Sequence, residues 1–237
     1  MFVIIEQMDE TLAERLAETA AQIARAAERA NRNPREIKLV AVSKTHPARV
    51  IREAIEAGAR VFGENKVQEA EGKILEIGRE RAEWHLIGHL QSNKARKAVR
   101  LFDVIHSLDS LELATRLERI CEEEGRADLS VFVQVDLAKE ATKNGVEEKD
   151  LSELVAFLSR ARHLKFDGLM TLPPFYEDLE QVRPFFRRLR EIRDLVCPGG
   201  ELSMGMSHDF AVAIEEGATV IRVGTAIFGE RSYSNYQ

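Results

Sequence analysis

The sequence predicts an α/β fold, a single-domain (β/α)8 TIM barrel over residues 1–237 with an extra N-terminal helix. Three observations carry this expectation. Short runs rich in β-branched residues alternate with helical patterns until eight strands are counted. A chain of 237 residues is near the usual length of such a barrel. No GxGxxG follows any strand pattern, which removes the commonest reason to prefer a doubly wound open sheet.

The elements follow in order. Leu12, Leu16, Ala20, Ile23, Ala27 and Ala30 recur at helical spacing between charged residues, and "NRNP" at 31–34 stops that helix. Strands are expected at 38–44, 60–64, 83–88, 103–108, 131–137, 164–172, 201–206 and 219–224. Pro47 suits the first turn of the helix after strand one, and Gly58 its C-terminal end. Ser110 reads as an N-cap, with Leu113, Leu117 and Ile120 behind it and Gly125 at the far end. A helix near 178–196 buries Val182, Phe185, Phe186, Leu189, Ile192 and Val196.

Apolar residues make up 44% and charged ones 31%, with a net charge of −6, the profile of a soluble protein with a sizeable core. The charges are interleaved, so no field suited to nucleic acid arises. No apolar run reaches membrane-span length, and "MFVIIEQMDE" lacks the basic n-region of a signal peptide. The two cysteines, Cys121 and Cys197, form no disulfide framework and no metal spacing, so no metal is expected. A cytoplasmic setting fits best. Cys121 falls on the apolar stripe of a helix, where core packing is its role.

A barrel places its site at the C-terminal ends of its strands. There, "KLVAVSKTHP" ends an apolar run on Lys44, "GENK" places Asn65 just past strand two, and "IGHLQSNK" ends strand three. "GLMTLPP" ends strand six, "MGMSHD" strand seven and "RVGTAIFGE" strand eight. Barrel phosphate sites often follow strands seven and eight. Ser207 offers a hydroxyl as it opens the helix "HDFAVAIEEGA", Gly224 permits close backbone approach, and Thr225 adds a hydroxyl and an N–H. Arg222 shares a strand face with Val220 and Gly224; if that face points inward, a guanidinium is buried beside the phosphate loop.

A lysine amine with a lowered pKa attacks carbonyls to form a Schiff base. Two ligand classes fit a lysine, an anion cradle and an arginine at one barrel mouth. One is a phosphorylated sugar or keto acid, as in a Schiff-base aldolase. The other is pyridoxal 5'-phosphate (PLP).

The stretches "LVAVSKTHP", "FGENKVQEA", "WHLIGHLQSNK", "GLMTLPP", "LSMGMSHDFAVAI" and "RVGTAIFG" occur in the right order, and the chain resembles the PLP-binding homeostasis proteins. Their barrel is similar to the N-terminal domain of alanine racemase. The resemblance implies PLP held as a Schiff base on Lys44, phosphate contacts from Ser207, Gly224 and Thr225, and Arg222 facing the pyridine nitrogen. It implies that Asn65 and Met170 line the cofactor pocket, with His89 nearby. Lys66 departs from the pattern, since many relatives carry an aromatic residue after "GEN".

The implied function is PLP homeostasis without turnover, with PLP, apo-enzymes that use it and free amino acids as partners. The alternative is a low-activity PLP-dependent amino-acid racemase. An arginine at the ring nitrogen disfavours its protonation and weakens the electron sink, which argues against an aminotransferase. Racemisation needs an acid/base group on each face of the substrate carbon. In the alanine racemase family the second group is a tyrosine of the partner's second domain, whereas the tyrosines here are Tyr176, Tyr233 and Tyr236. Without that second domain a monomer is expected. His85 and His106 sit in apolar strand patterns and read as hydrogen-bonded core histidines.

Overall fold

A computed structural model of the chain describes residues 10–138 and 144–229. Its eight strands close into a parallel barrel in sequence order. They are β1 (Lys38–Val42), β2 (Val61–Glu64), β3 (Glu83–Leu86), β4 (Val104–Leu108), β5 (Leu129–Gln134), β6 (Leu164–Met170), β7 (Glu201–Met206) and β8 (Val220–Val223). Closure comes from β1 pairing with β8, with Lys38 opposite Val220 and Val40 opposite Arg222. The helices are α1 (Leu12–Arg29), α2 (Ala48–Glu56), α3 (Val67–Ile77), α4 (Ala95–Leu101), α5 (Leu111–Glu123), α6 (Leu151–Leu158), α7 (Arg183–Val196), α8 (Phe210–Glu215) and the single turn α9 (Thr225–Phe228).

Local signals explain the helix ends. Thr11 and Glu14 form a reciprocal capping box on α1. Asn33 then caps the short 3-10 turn Pro34–Glu36, which leads the chain into β1. Ser110 accepts the Leu113 N–H at the start of α5. Pro47 occupies the N-cap of α2, one residue earlier than the first-turn position expected of it. Its extended ψ of 160° turns the chain out of the β1 loop before the helix begins. The pattern near 178–196 splits into a 3-10 turn, Leu179–Gln181, and α7, and within it Phe185 and Val196 are only half-buried.

Two apolar layers result. Outward residues such as Leu39, Ala41 and Ile221 pack with the helices in one large core. Inward residues Val40, Val104, Phe132, Met170 and Val220 form a separate cluster inside the barrel. Strand side chains alternate between faces. Lys38, Val40 and Val42 therefore point in along β1, and Val220 and Arg222 along β8. Gly63 keeps the interior passable at β2: a Cβ there would lie 2.8 Å from the Val40 Cγ1. Among the described residues no helix is long and apolar enough to cross a membrane.

Candidate functional site

A cavity of about 490 Å³ opens at the C-terminal ends of the strands. Six of the seven residues singled out from the sequence line it: Lys44, Asn65, Ser207, Arg222, Gly224 and Thr225. The seventh, Met170, is fully buried in the inner apolar cluster and is not among the lining residues. His89 and His208 also face the cavity.

Lys44 leaves β1 on a turn held from behind. Lys73, on α3, donates to the Ser43 carbonyl at 2.9 Å, to both oxygens of Glu64 at 2.8 and 3.0 Å, and to Glu69 Oε1 at 2.6 Å. The Ser43 hydroxyl donates to Glu64 at 2.6 Å, and the Thr45 N–H donates to Glu69. Both neighbours of Lys44 are thus tied to one buried ion cluster. Thr45 needs that tie, because its φ of 69° is left-handed and unfavourable for a β-branched residue. Burial pushes the Glu64 carboxyl up, with Lys73 opposing. For Glu69, burial is outweighed by the Lys73 ammonium and the Thr45 N–H, which hold it below its usual range.

Arg222 is wholly buried beneath the cavity. Its Nη1 donates to Ser203 Oγ at 2.6 Å and its Nη2 to the Thr171 carbonyl at 2.9 Å. Burial pushes its pKa down to about 10, with Asp209 pulling the other way, so it carries its charge at neutral pH. Asp209 itself accepts the Met206 N–H at 2.6 Å and is pushed up by burial.

Ser207 does not cap the helix that the sequence pattern has it open. α8 starts later, at Phe210, and the Ser207 hydroxyl turns to the β8–α9 loop instead. Its Oγ accepts the Gly224 N–H at 3.1 Å and the Ala226 N–H at 3.5 Å. The two strand ends are joined into one polar rim, with Thr225 at the head of α9. On the facing side, His89 Nδ1 lies 3.0 Å from the Asp109 carboxylate, whose pKa burial raises. Gly88 lets the β3 loop lie against Asn65: a Cβ at residue 88 would sit 2.4 Å from the Asn65 carbonyl oxygen.

Sequence reasoning missed Val42, Ile87, Gln134, Asn144, Leu172 and Met206 as lining residues. Inward alternation followed to the strand ends and just past them reaches four of them: 40–42 on β1, 85–87 on β3, 132–134 on β5 and 170–172 on β6. Asn144 belongs to a loop and gives no periodic signal. Lys66, the departure from the family pattern, is exposed at the start of α3 and does not line the cavity.

The sequence profile described as "Alanine racemase, N-terminal domain" matches residues 15–232. The "Pyridoxal phosphate homeostasis protein" of Aquifex aeolicus (strain VF5) is 44% identical, covering 93% of this chain and 98% of that one. This chain belongs to the pyridoxal phosphate homeostasis protein family. The solved structure of PipY of Synechococcus elongatus PCC7942, with PLP bound, superposes at a TM-score of 0.82 with 43% identity. That match covers 92% of this chain and all of the other. Alanine racemase from Corynebacterium glutamicum, at 21% identity and a TM-score of 0.64, shares the fold over 61% of its own length. Among the described residues, no three His, Cys, Asp or Glu side chains are grouped to hold a metal ion.

Proposed function

We propose that this chain binds PLP in the cavity at the barrel mouth and serves PLP homeostasis as a carrier rather than a turnover enzyme. The observation that carries the reading is the donor set of one cavity: an amine, a buried guanidinium and a hydroxyl-bearing loop rim. These groups fit the ligand's three handles. Lys44 meets the aldehyde, Ser207, Gly224 and Thr225 hold the phosphate, and Arg222 donates to the pyridine nitrogen. Asn65 would line the ring's pocket, and Met170 belongs to the apolar layer beneath the cavity. The bound group supplies an aldehyde that condenses with an amine, here the Lys44 side chain, with release of water.

The chain's own residues govern how far the chemistry can go. The ion cluster under Ser43 and Thr45 fixes the Lys44 turn. The Arg222 charge disfavours a second positive charge on the ring nitrogen and so weakens carbanion chemistry. That supports a carrier role. The racemase alternative needs a second acid/base group, and Tyr176 does not line the cavity: its ring lies 6.0 Å from that of Phe185. Tyr233 and Tyr236 lie outside the described residues. Exchange of the bound aldehyde with free amino acids or with apo-enzymes is the corresponding partner chemistry.

The test is the absorption spectrum of the purified protein with added PLP, before and after borohydride, beside Lys44→Ala. An imine band that borohydride abolishes, with the label on the Lys44 peptide, is expected. A protein that stays colourless with PLP added would sink the reading and favour a Schiff-base aldolase.

A further inference from the structure

The interior of a TIM barrel is usually filled by layers of Val, Ile and Leu. One sector of this barrel is polar instead. At the N-terminal end of the strands, Glu83 accepts from Lys38 at 3.0 Å and lies 2.8 Å from His85 Nε2. His85 Nδ1 lies 2.8 Å from His106 Nε2, and His106 Nδ1 lies 2.8 Å from Ser203 Oγ. Ser203 is the residue to which Arg222 donates. An unbroken chain of hydrogen bonds therefore crosses the barrel from a carboxylate at one mouth to the guanidinium at the other. The proposed function uses only its last member.

With both imidazoles neutral, each ring has one donor and one acceptor nitrogen, and the Glu83 end then fixes every proton in between. An arginine only donates and a carboxylate only accepts. Ser203 Oγ accepts the hydrogen bond from Arg222, and its own O–H donates to His106 Nδ1. His106 then carries its proton on Nε2 and gives it to His85 Nδ1. His85 carries its proton on Nε2 and gives it to Glu83. All four bonds then run one way. Burial supports that neutrality, pushing His106 well below its ordinary value, with His85 and Arg222 adding to the effect. His85 is also lowered by burial, against the pull of Glu83. The Phe132 ring, stacked on His106 at 4.5 Å and 13° from parallel, holds the imidazole plane.

Resting on the PLP reading above, we propose that Glu83, His85, His106 and Ser203 form a one-directional hydrogen-bond relay that positions Arg222 as a fixed donor to the pyridine nitrogen. The three relay residues between Glu83 and Arg222 are positioning residues: they touch Arg222 directly or through one another, and none lines the cavity. The relay directs the Glu83 negative charge toward a desolvated guanidinium that also donates to the Thr171 carbonyl and feels the Asp209 carboxylate.

The test has two parts. In the cofactor-free, 15N-histidine-labelled full chain, long-range 1H–15N correlation reads the tautomers, with His85→Asn and His106→Asn assigning the signals. Both histidines are expected as neutral Nε2–H forms. An Nδ1–H or doubly protonated His106 would overturn the relay, whatever the cofactor does. The second part loads PLP labelled with 15N at the ring and compares wild type, Ser203→Ala and Ser203→Thr. Ser203→Ala is expected to bind PLP and shift the ring-nitrogen resonance, and Ser203→Thr, which keeps the hydroxyl, to restore it. An unshifted resonance in PLP-loaded Ser203→Ala overturns the coupling. A wild type that takes up no PLP overturns both the coupling and the proposed function, while the tautomer result stands on its own.

Discussion

Replacing Lys73 by Met is expected to be among the costliest single changes in the molecule outside its apolar core. Met keeps most of the stem volume and removes the ammonium. The Glu64 side chain is 0% exposed and that of Lys73 only 9%, so water cannot replace the lost partner. Glu64 retains only the Ser43 hydroxyl, the Ser43 carbonyl loses its donor, and Glu69 faces Glu64 with no cation between them. Breaking a buried ion pair by removing one member costs about 3–5 kcal/mol. For a chain of this size that corresponds to a fall in Tm of roughly 6–20 °C, taking ~2–4 °C per kcal/mol. The cost also has a pH signature. Burial already raises the folded pKa of Glu64, and without Lys73 it rises further. A carboxyl with a raised folded pKa binds its proton more tightly in the folded state. The deficit is therefore full above that pKa and shrinks as pH falls through it toward the unfolded value. Urea unfolding at pH 8 and pH 5 should show the gap to wild type narrowing at pH 5. The double variant Lys73→Met with Glu64→Gln should recover at least half the loss, since no buried charge is then stranded. A single variant within about 1 kcal/mol of wild type would refute the reasoning, a margin below any buried-pair cost. So would a double variant no more stable than the single.

Other outcomes rest on the same geometry. Ser207→Ala leaves the Gly224 and Ala226 N–H groups without their acceptor, and calorimetry should find a loss of about 1 kcal/mol. If the hydroxyl also binds phosphate, PLP affinity by titration should fall about tenfold or more, as for a hydrogen bond to a charged group. Gly88→Ala drives a methyl into the Asn65 backbone, and thermal unfolding should show about 1–3 kcal/mol of overpacking cost together with weakened PLP uptake. Cys121, fully buried with its thiol pushed up to about 11 by burial, should resist iodoacetamide in the native protein and react only on unfolding, as read by peptide mass. Glu83 is held down to about 2, first by the His85 hydrogen bond, so its stabilising contribution is present above the ordinary carboxylate range. That contribution should fade as pH drops from about 4.3 toward 2, and Glu83→Gln should flatten this part of the stability profile.

The strands were legible because their signal is local. Alternation and β-branched runs located all eight within two or three residues of their observed ends, since each strand must bury an outer face against helices and an inner face against its neighbours. Lys44 and Arg222 stood out because each sets a charge in or at the end of an apolar strand pattern, although a snorkelling lysine or an outward-facing arginine leaves the same pattern, and it is their convergence on one barrel mouth that separates the readings. What stayed hidden is what register and closure decide. Lys73 reads in the sequence as an ordinary helix lysine four residues from Glu69; only the packing of α3 beside β1 and β2 turns that pair into a buried clamp. Ser207 looked like a helix cap until the residues around Gly224, 17 positions away, claimed its oxygen. His85 and His106 could be placed in the core but not in contact, and nothing in the sequence links His106 to Ser203, which lies 97 residues on. Met170, expected at the pocket, points inward but lies below the cavity wall, which Leu172, the next inward residue, reaches.

The choice of buried groups also bears on why Arg222 is there. A satisfied buried hydrogen bond is worth only about 0.5–1.5 kcal/mol net, and a well-packed apolar filling serves stability as well or better. Four polar groups in line beneath the cavity therefore do not exist for stability alone. Each is satisfied only if the next is in place, so the line has to end on a donor that cannot turn round and on an acceptor that cannot give. Arginine and glutamate meet those two conditions, and a lysine or histidine in place of Arg222 would not hold the same planar aim. The inward sector of β3, β4, β7 and β8 is therefore shaped by the charge at its upper end. A substitution deep in the barrel, far from the cavity wall, should change what the site does to a bound pyridine before it changes whether the barrel folds.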